Sequence, residues 1–106
     1  MIQLNSSNFD EEVASYKGKS VVVFSSDNCP VCKRMEPVLS SVVHEISGVK
    51  FCSVNTDASA DLAQKFNVRS VPATIVFEKG QEKSRAVGLL GKREIFDMVS
   101  KGIVRK

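Results

Sequence analysis

Residues 21–32 read VVVFSSDNCPVC, an apolar β-branched run followed by a short polar segment and a pair of cysteines. The continuous apolar stretch Val21–Phe24 is typical of a strand covered on both faces and therefore predicts a central parallel strand. An apolar stripe at helical spacing begins just after Cys32. The motif Cys29-Pro30-Val31-Cys32 thus lies where a strand gives way to a helix, the position in which a CxxC pair acts as a redox dithiol.

The placement of the two cysteines predicts different roles for them. A cysteine in the first turn of a helix faces unpaired backbone N–H groups and the positive end of the helix dipole. Both stabilise a thiolate, so we expect Cys29 to have a lowered pKa, to be exposed and to be the nucleophile. Cys32 lies one helical turn further along and is expected to be more buried. From there it can attack a mixed disulfide on Cys29 and release the reduced product.

Two other uses of a CxxC pair, a zinc site and a structural disulfide, compete with redox exchange. Zinc needs about four ligands, and beyond the pair the chain offers only Cys52 and His44, with no second closely spaced pair. The sequence therefore predicts neither a metal nor another cofactor. A purely structural disulfide is also disfavoured, because closing so short a loop restrains little unfolded-chain entropy and a strained short loop favours a reducible bond.

Composition limits the classes of function. The chain has 106 residues, which predicts one domain over 1–106, and its 42% hydrophobic content suffices for a core. Its net charge of +3 is spread along the chain, so nucleic acid is not expected as a partner. No apolar stretch approaches the ~20 residues of a membrane span, and MIQL at residues 1–4 does not resemble a secretory signal. Three cysteines, an odd count, suit a reducing compartment, so we expect a cytoplasmic protein with no membrane contact.

Apolar periodicity and turn residues predict an α/β chain with the element order β-α-β-α-β-α-β-β-α. Ser7 and Asn8 precede three acidic residues as a helix start signal, and Gly18 ends that helix. Gly88 is predicted to allow a bulge or a close backbone approach. The predicted strands cover 2–4, 21–24, 49–55, 73–78 and 84–87, with a tight turn at 79–81; the predicted helices cover 9–17, about 30–46, 58–66 and a last one around 95–99.

Several motifs together resemble the thioredoxin family across nearly the whole chain. They are Cys29-Pro30-Val31-Cys32-Lys33 opening a helix that bears Pro37, Val68-Arg69-Ser70-Val71-Pro72-Ala73-Thr74 downstream, Asn55-Thr56-Asp57 and Val87-Gly88. The resemblance implies the thioredoxin fold, in which a central mixed sheet is flanked by helices on both faces.

The same resemblance implies a substrate surface. Pro72 would be a cis proline whose loop lies against the CxxC motif, and the backbone of Val71 would pair with an extended substrate segment. Pro30, Val31 and Gly88 would complete the contact. From the residues alone, a trans proline at the start of a strand is the open alternative.

Other positions depart from the usual thioredoxin pattern. The tryptophan that usually precedes the first cysteine is Asn28 here. The buried acid of the preceding strand aligns with Val23, and the lysine that partners this acid aligns with Ser53. The dipeptide Pro30-Val31 is closer to the glutaredoxin pattern than to the Gly-Pro of thioredoxin.

These departures leave open how Cys32 loses its proton. Water, a displaced substrate thiolate or an exposed side chain such as Asp27 are the candidate acceptors, and water ranks first because Asp27 is expected to be a solvated loop residue or a cap. The resemblance places Cys52 at a small buried position, where an inert thiol is the expectation. His44 is expected on the helix surface, too far from Cys29 to act as its base.

Three functions stay open from the sequence. The first is a monomeric dithiol reductase that acts on disulfide-containing protein substrates and is recycled by a thioredoxin-reductase-like electron donor. The second is a glutathione-dependent thiol transferase, which the dipeptide Pro30-Val31 favours. The third is a binding module that holds a partner through Val71-Pro72 and does not need its cysteines.

Overall fold

Strands and helices alternate along residues 1–101, the part of the chain that this computed structural model describes. The described strands are β1 (Ile2–Leu4), β2 (Lys19–Ser25), β3 (Val49–Asn55), β4 (Ala73–Glu78) and β5 (Gln81–Val87). The α-helices are α1 (Pro30–Glu45), α2 (Ala60–Lys65) and α3 (Lys92–Lys101), and a π-helical turn covers Asp10–Ala14. The predicted element order is confirmed, with a single turn in place of the first helix. The prediction of one domain over 1–106 extends beyond the described residues and stays a prediction.

The strands form one mixed sheet in the order β1-β3-β2-β4-β5. β3 runs parallel to β1 and to β2, whereas β4 runs antiparallel to β2 and to β5. β2 is central, as the apolar run Val21–Phe24 predicts, but only its pairing with β3 is parallel. The prediction of a central parallel strand therefore holds for the β3 side and not for the β4 side, because a strand covered on both faces has the same apolar pattern whichever way its neighbours run.

Helices cover both faces of the sheet and so create two cores. On one face, α1 and α3 bury Met35, Leu39 and Val42 together with Ile95 and Met98. On the other face, the π-helical turn and α2 bury Phe9, Val13 and Leu62 against the sheet. In the part of the chain that the structure describes, no helix combines the length and apolar character needed to cross a bilayer.

The first predicted helix is much shorter than its apolar spacing suggested. Phe9 and Val13 are buried as expected, but the Ser15 N–H bonds the carbonyl of Asp10, which closes a π-helical turn. Asn8 does not cap this turn, because its side chain accepts the Asn5 N–H at 2.8 Å and donates to the Gln3 carbonyl at 3.0 Å. A side chain used in this way cannot offer the N-terminal cap that the start signal predicted.

Smaller differences concern element ends. α2 begins two residues later and ends one residue earlier than predicted, and β5 begins at Gln81 because Lys79 and Gly80 alone make the turn. Of the two possibilities expected at Gly88, the close backbone approach is present, because the Gly88 N–H donates to the Pro72 carbonyl at 2.8 Å. The register shift between β4 and β5 lies elsewhere, at Val76 and Phe77.

Candidate active site

Cys29 occupies the N-cap of α1, and its sulfur fills the role of a capping oxygen. Its backbone is extended, with φ −114° and ψ 101°, and Pro30 takes the first helical position. Proline fits there because that position needs no N–H donor. The Cys32 N–H donates to Cys29 Sγ over 3.1 Å. The sequence thus places a sulfur atom on an otherwise unpaired helix N–H, where a negative charge is favoured.

Cys29 and Cys32 are joined as a disulfide, with their Cα atoms 5.2 Å apart. The expectation of an exposed Cys29 beside a more buried Cys32 was wrong for this form, because the two residues are 8% and 6% exposed. Burial in the disulfide form therefore does not distinguish the two cysteines.

The loop before β4 lies directly against the motif. The Val71–Pro72 peptide is cis, and the Val71 carbonyl oxygen lies 3.9 Å from Cys29 Sγ. The Gly88 N–H donates to the Pro72 carbonyl at 2.8 Å, so the end of β5 joins the same site by a close backbone approach. The implied cis proline and its position beside the CxxC motif are both confirmed.

Apolar residues adjoin the segments that form this junction. Pro30 is exposed, Val31 and Val71 are half-buried, and Val87 and Leu89 on either side of Gly88 are 49% and 51% exposed. Leu89 had no predicted role. The sequence shows only that Val87 and Leu89 lie on either side of Gly88 at a strand end. This pattern indicates a place at the active site only once the strand is known to end beside Pro72.

A pocket of about 350 Å³ lies beside Cys32 and Pro72, both of which line it. It is lined by Val23 and Ser53, which are register partners in β2 and β3 and carry no charge. Asp27 also lines it and accepts a hydrogen bond from the Asn55 side chain at 2.9 Å. Asp27 is exposed, as expected, but it is not a cap, because Cys29 caps α1. The contact between Asp27 and Asn55, which lie 28 residues apart in sequence, had no local sequence signal.

Other candidate residues lie away from this junction. His44 is exposed near the end of α1, as predicted, and among residues 1–101 no group of three or more histidine, cysteine and acidic side chains could hold a metal ion. Cys52 is fully buried in β3, also as predicted. Burial raises the pKa of the Cys52 thiol to about 11, so the thiol stays protonated at neutral pH.

Replacing Cys52 with alanine should leave the exchange rate within about twofold of wild type and cost about 1 kcal/mol of stability, the usual scale for one small buried substitution. A thiol with a raised folded-state pKa supports stability below its ordinary pKa and loses that support as the pH rises through the folded value. Stability measured by urea unfolding should therefore fall between about pH 9 and 11 in the wild type, and this part of the fall should vanish in Cys52→Ala. An activity loss beyond about tenfold in folded protein would instead indicate a redox role.

Comparison with known proteins agrees with this geometry. The thioredoxin family model matches residues 1–101. The chain belongs to the thioredoxin family. It is 36% identical to the thioredoxin of Chlamydia muridarum over 102 residues, which cover 95% of this chain and 98% of that protein. The thioredoxins of Mycoplasma pneumoniae and Mycoplasma genitalium are 36% and 38% identical and cover 84% and 83% of this chain, with 87% and 86% of their own lengths matched.

Family membership and the Cys29–Cys32 disulfide together define the general activity. The chain is a thiol–disulfide oxidoreductase that acts through its CxxC motif, and a protein-disulfide reductase. In general terms, membership of the thioredoxin family implies disulfide-containing protein substrates and a reductase as electron donor.

Proposed function

We propose that the chain reduces protein disulfides by a two-thiol exchange in which Cys29 attacks and Cys32 resolves. The Cys29 thiolate bonds to one sulfur of the substrate disulfide, and the other substrate sulfur leaves as a thiolate. Cys32 then loses its proton and bonds to Cys29 Sγ, which breaks the mixed disulfide and releases the second substrate thiol. The Cys29–Cys32 disulfide that remains takes two electrons from a thioredoxin-reductase-like donor.

One contact carries the assignment of roles. The Cys32 N–H lies 3.1 Å from Cys29 Sγ, so a negative charge on Cys29 has a hydrogen-bond donor and a helix N-terminus beside it. A thiolate on Cys32 would have no such partner in its own turn. The electrostatics therefore favour Cys29 as the attacking group even though the two cysteines are almost equally buried.

The substrate surface in this proposal is the junction of three segments. Val71 and Pro72 would present their backbone to an extended substrate strand next to Cys29 Sγ, while Pro30, Val31 and Gly88 border the same place. Support comes from the 3.9 Å separation of the Val71 carbonyl and Cys29 Sγ, and from the bond between Gly88 and Pro72. The proposal also has the chain act as a monomer in the cytoplasm, in line with its composition and cysteine count.

The order of alkylation tests the roles of the two thiols. In the reduced protein, iodoacetamide should modify Cys29 first, and its rate should reach a plateau at a lower pH than for an ordinary thiol, whose pKa is about 8.5. Mass spectrometry of peptides taken across a pH series gives the rate for each cysteine, with buried Cys52 as the slow internal reference. Faster labelling of Cys32 or Cys52 would overturn the assignment.

The redox potential should be less negative than the thioredoxin value of about −270 mV, in the glutaredoxin range of roughly −200 to −230 mV. Stabilising the Cys29 thiolate lowers the free energy of the reduced form and so makes the disulfide easier to reduce. Val23, in place of a carboxylate that would repel this thiolate, acts in the same direction. Equilibration against glutathione, with the reduced fraction measured by alkylation, gives the potential.

Exchange of Pro30-Val31 for Gly-Pro is the matched variant for this measurement, and it should shift the potential to a more negative value. A wild-type potential at or below about −270 mV would show that neither the dipeptide nor the missing acid controls the redox equilibrium.

A further inference from the structure

Two carboxylates from different elements face the pocket beside Cys32. Asp27 comes from the loop between β2 and α1, and Glu36 comes from α1, one turn after Cys32. The sheet contributes uncharged side chains to the same pocket. Any base that serves Cys32 from this side must therefore stand at the edge of the pocket and not in the sheet below it.

Asp27 is held in place by the last residue of β3 and by the loop that follows β3. Its Oδ1 accepts the Asn55 Nδ2–H at 2.9 Å, and its backbone N–H donates to the Asp57 carboxylate at 3.0 Å. Asn55 Oδ1 in turn accepts the Asp57 N–H at 2.8 Å, so the loop before α1, the end of β3 and the loop after β3 form one hydrogen-bonded unit. A side chain fixed by such bonds presents its carboxylate to the pocket without first losing rotamer entropy.

The pocket can carry a proton by way of water. Its volume of about 350 Å³ has room for several water molecules, and Ser25 at the end of β2 and Ser26 after it add polar lining. Water bridges between polar groups are nearly as favourable as direct hydrogen bonds. Direct contact between Asp27 and Cys32 Sγ is then unnecessary.

We propose that Asp27 accepts the proton of Cys32 through water in this pocket during the resolving step. The Cys32 S–H bond breaks, its proton passes to the Asp27 carboxylate, and the new thiolate bonds to Cys29 Sγ as the mixed disulfide breaks. The departing substrate thiolate then takes up a proton from solvent, and Asp27 returns its proton to solvent. This inference rests on the two-thiol exchange proposed above.

The charged groups around Asp27 define the controls. Lys33 and Glu36 face the pocket from α1, Asp57 approaches from the loop after β3, and Met1 lines the pocket at the start of the chain. Asp27→Asn removes the carboxylate but keeps an oxygen that can accept the Asn55 bond. Glu36→Gln removes the same charge from the same pocket, which makes it the matched control.

Stopped-flow reaction with substoichiometric dithiobis(nitrobenzoate) separates the two steps in full-length protein carrying Cys52→Ala. The first thionitrobenzoate released reports attack by Cys29, and the second reports resolution by Cys32. A positioned base contributes roughly 10²–10⁴-fold, and because solvent also takes the proton here we expect Asp27→Asn to slow the second release about tenfold at pH 7. Its first release should match that of the parent protein.

Two further readouts separate a base from a structural role. The second release in Asp27→Asn should rise more steeply with pH and approach the parent rate at high pH, because hydroxide remains as the acceptor. Added acetate should restore part of the lost rate at pH 7 in Asp27→Asn and leave the parent protein unchanged. An unchanged second release in Asp27→Asn, an equal loss in Glu36→Gln, or slowing that neither pH nor acetate relieves would each overturn the role of Asp27.

Failure of the underlying exchange has a different signature. If the parent protein gave no second release, or if Cys32→Ser still gave one, the two-thiol mechanism itself would be wrong. If the parent gave both phases and Asp27→Asn matched it, only the inference about Asp27 would fail.

Discussion

Replacement of Cys29 with serine should abolish disulfide reduction, with a loss of at least about 10³-fold in kcat/KM. A serine hydroxyl in the same place keeps the helix cap but is not ionised at neutral pH, and Cys32 lacks the N–H donor that Cys29 has. Reduction of a model protein disulfide by dithiothreitol, with and without the variant, measures the effect. The control is Cys52→Ala, which also removes one cysteine but should keep the disulfide-reductase activity.

The companion variant Cys32→Ser should stop at the mixed disulfide. Cys29 still attacks, but no second thiol remains to release the substrate, so covalent adducts on Cys29 should accumulate and appear on non-reducing gels and by mass spectrometry. Wild-type turnover by Cys32→Ser without glutathione would contradict the two-thiol mechanism.

The same pair of variants distinguishes the alternative functions. If Cys32→Ser regained turnover on addition of glutathione, a thiol transferase of the glutaredoxin type would be supported. If Cys29→Ser captured as much partner protein from cells as the wild type does, and if cells carrying this variant showed no defect, the Val71-Pro72 surface would act as a binding module.

Most of the fold could be predicted from local patterns. The strand Ala73–Glu78 and the start of α1 at Pro30 agree with their predicted bounds, because β-branched runs and a cysteine-proline helix start are strong local signals. The first helix could not be predicted in the same way. Asn8 bonds to Asn5 and Gln3, and this choice depends on how β1 ends, not on helix propensity.

Features of the active site that lie within one segment, or that the family resemblance implies, could be predicted from the sequence. Features that depend on contacts between distant segments could not. The spacing of Cys29 and Cys32 is visible in the chain, and the resemblance supplied Pro72. The near-equal burial of the two cysteines has no local sequence signal, and the Asp27–Asn55 bond joins the loop after β2 to the last residue of the adjacent parallel strand β3. Such contacts follow from the register of β2 and β3, which no local pattern specifies.

Gly80 should be the glycine whose replacement costs the most stability, and Gly48 is its natural control. Both have nearly the same backbone conformation, with φ +76° and +77°. A Cβ on Gly80 would lie 2.1 Å from the Ala14 carbonyl oxygen, whereas a Cβ on Gly48 would meet nothing within 4 Å. The two positions therefore share the strain of a positive φ and differ in the steric clash.

Gly48→Ala should cost about 1 kcal/mol, the strain of a left-handed residue, and Gly80→Ala about 3 kcal/mol or more, because overpacking against backbone adds to the same strain. The clash cannot be relieved by a rotamer change, since the opposing atom belongs to the π-helical turn at Asp10–Ala14. Relief would require the β4–β5 turn to move away from that turn, although the Lys79 N–H is bonded to the Gly18 carbonyl at 3.2 Å. Urea unfolding of the oxidised proteins, with equal m-values as the condition for comparison, gives both changes in the free energy of unfolding. Equal losses in the two variants would mean that the turn shifts freely and that Ala14 does not constrain it.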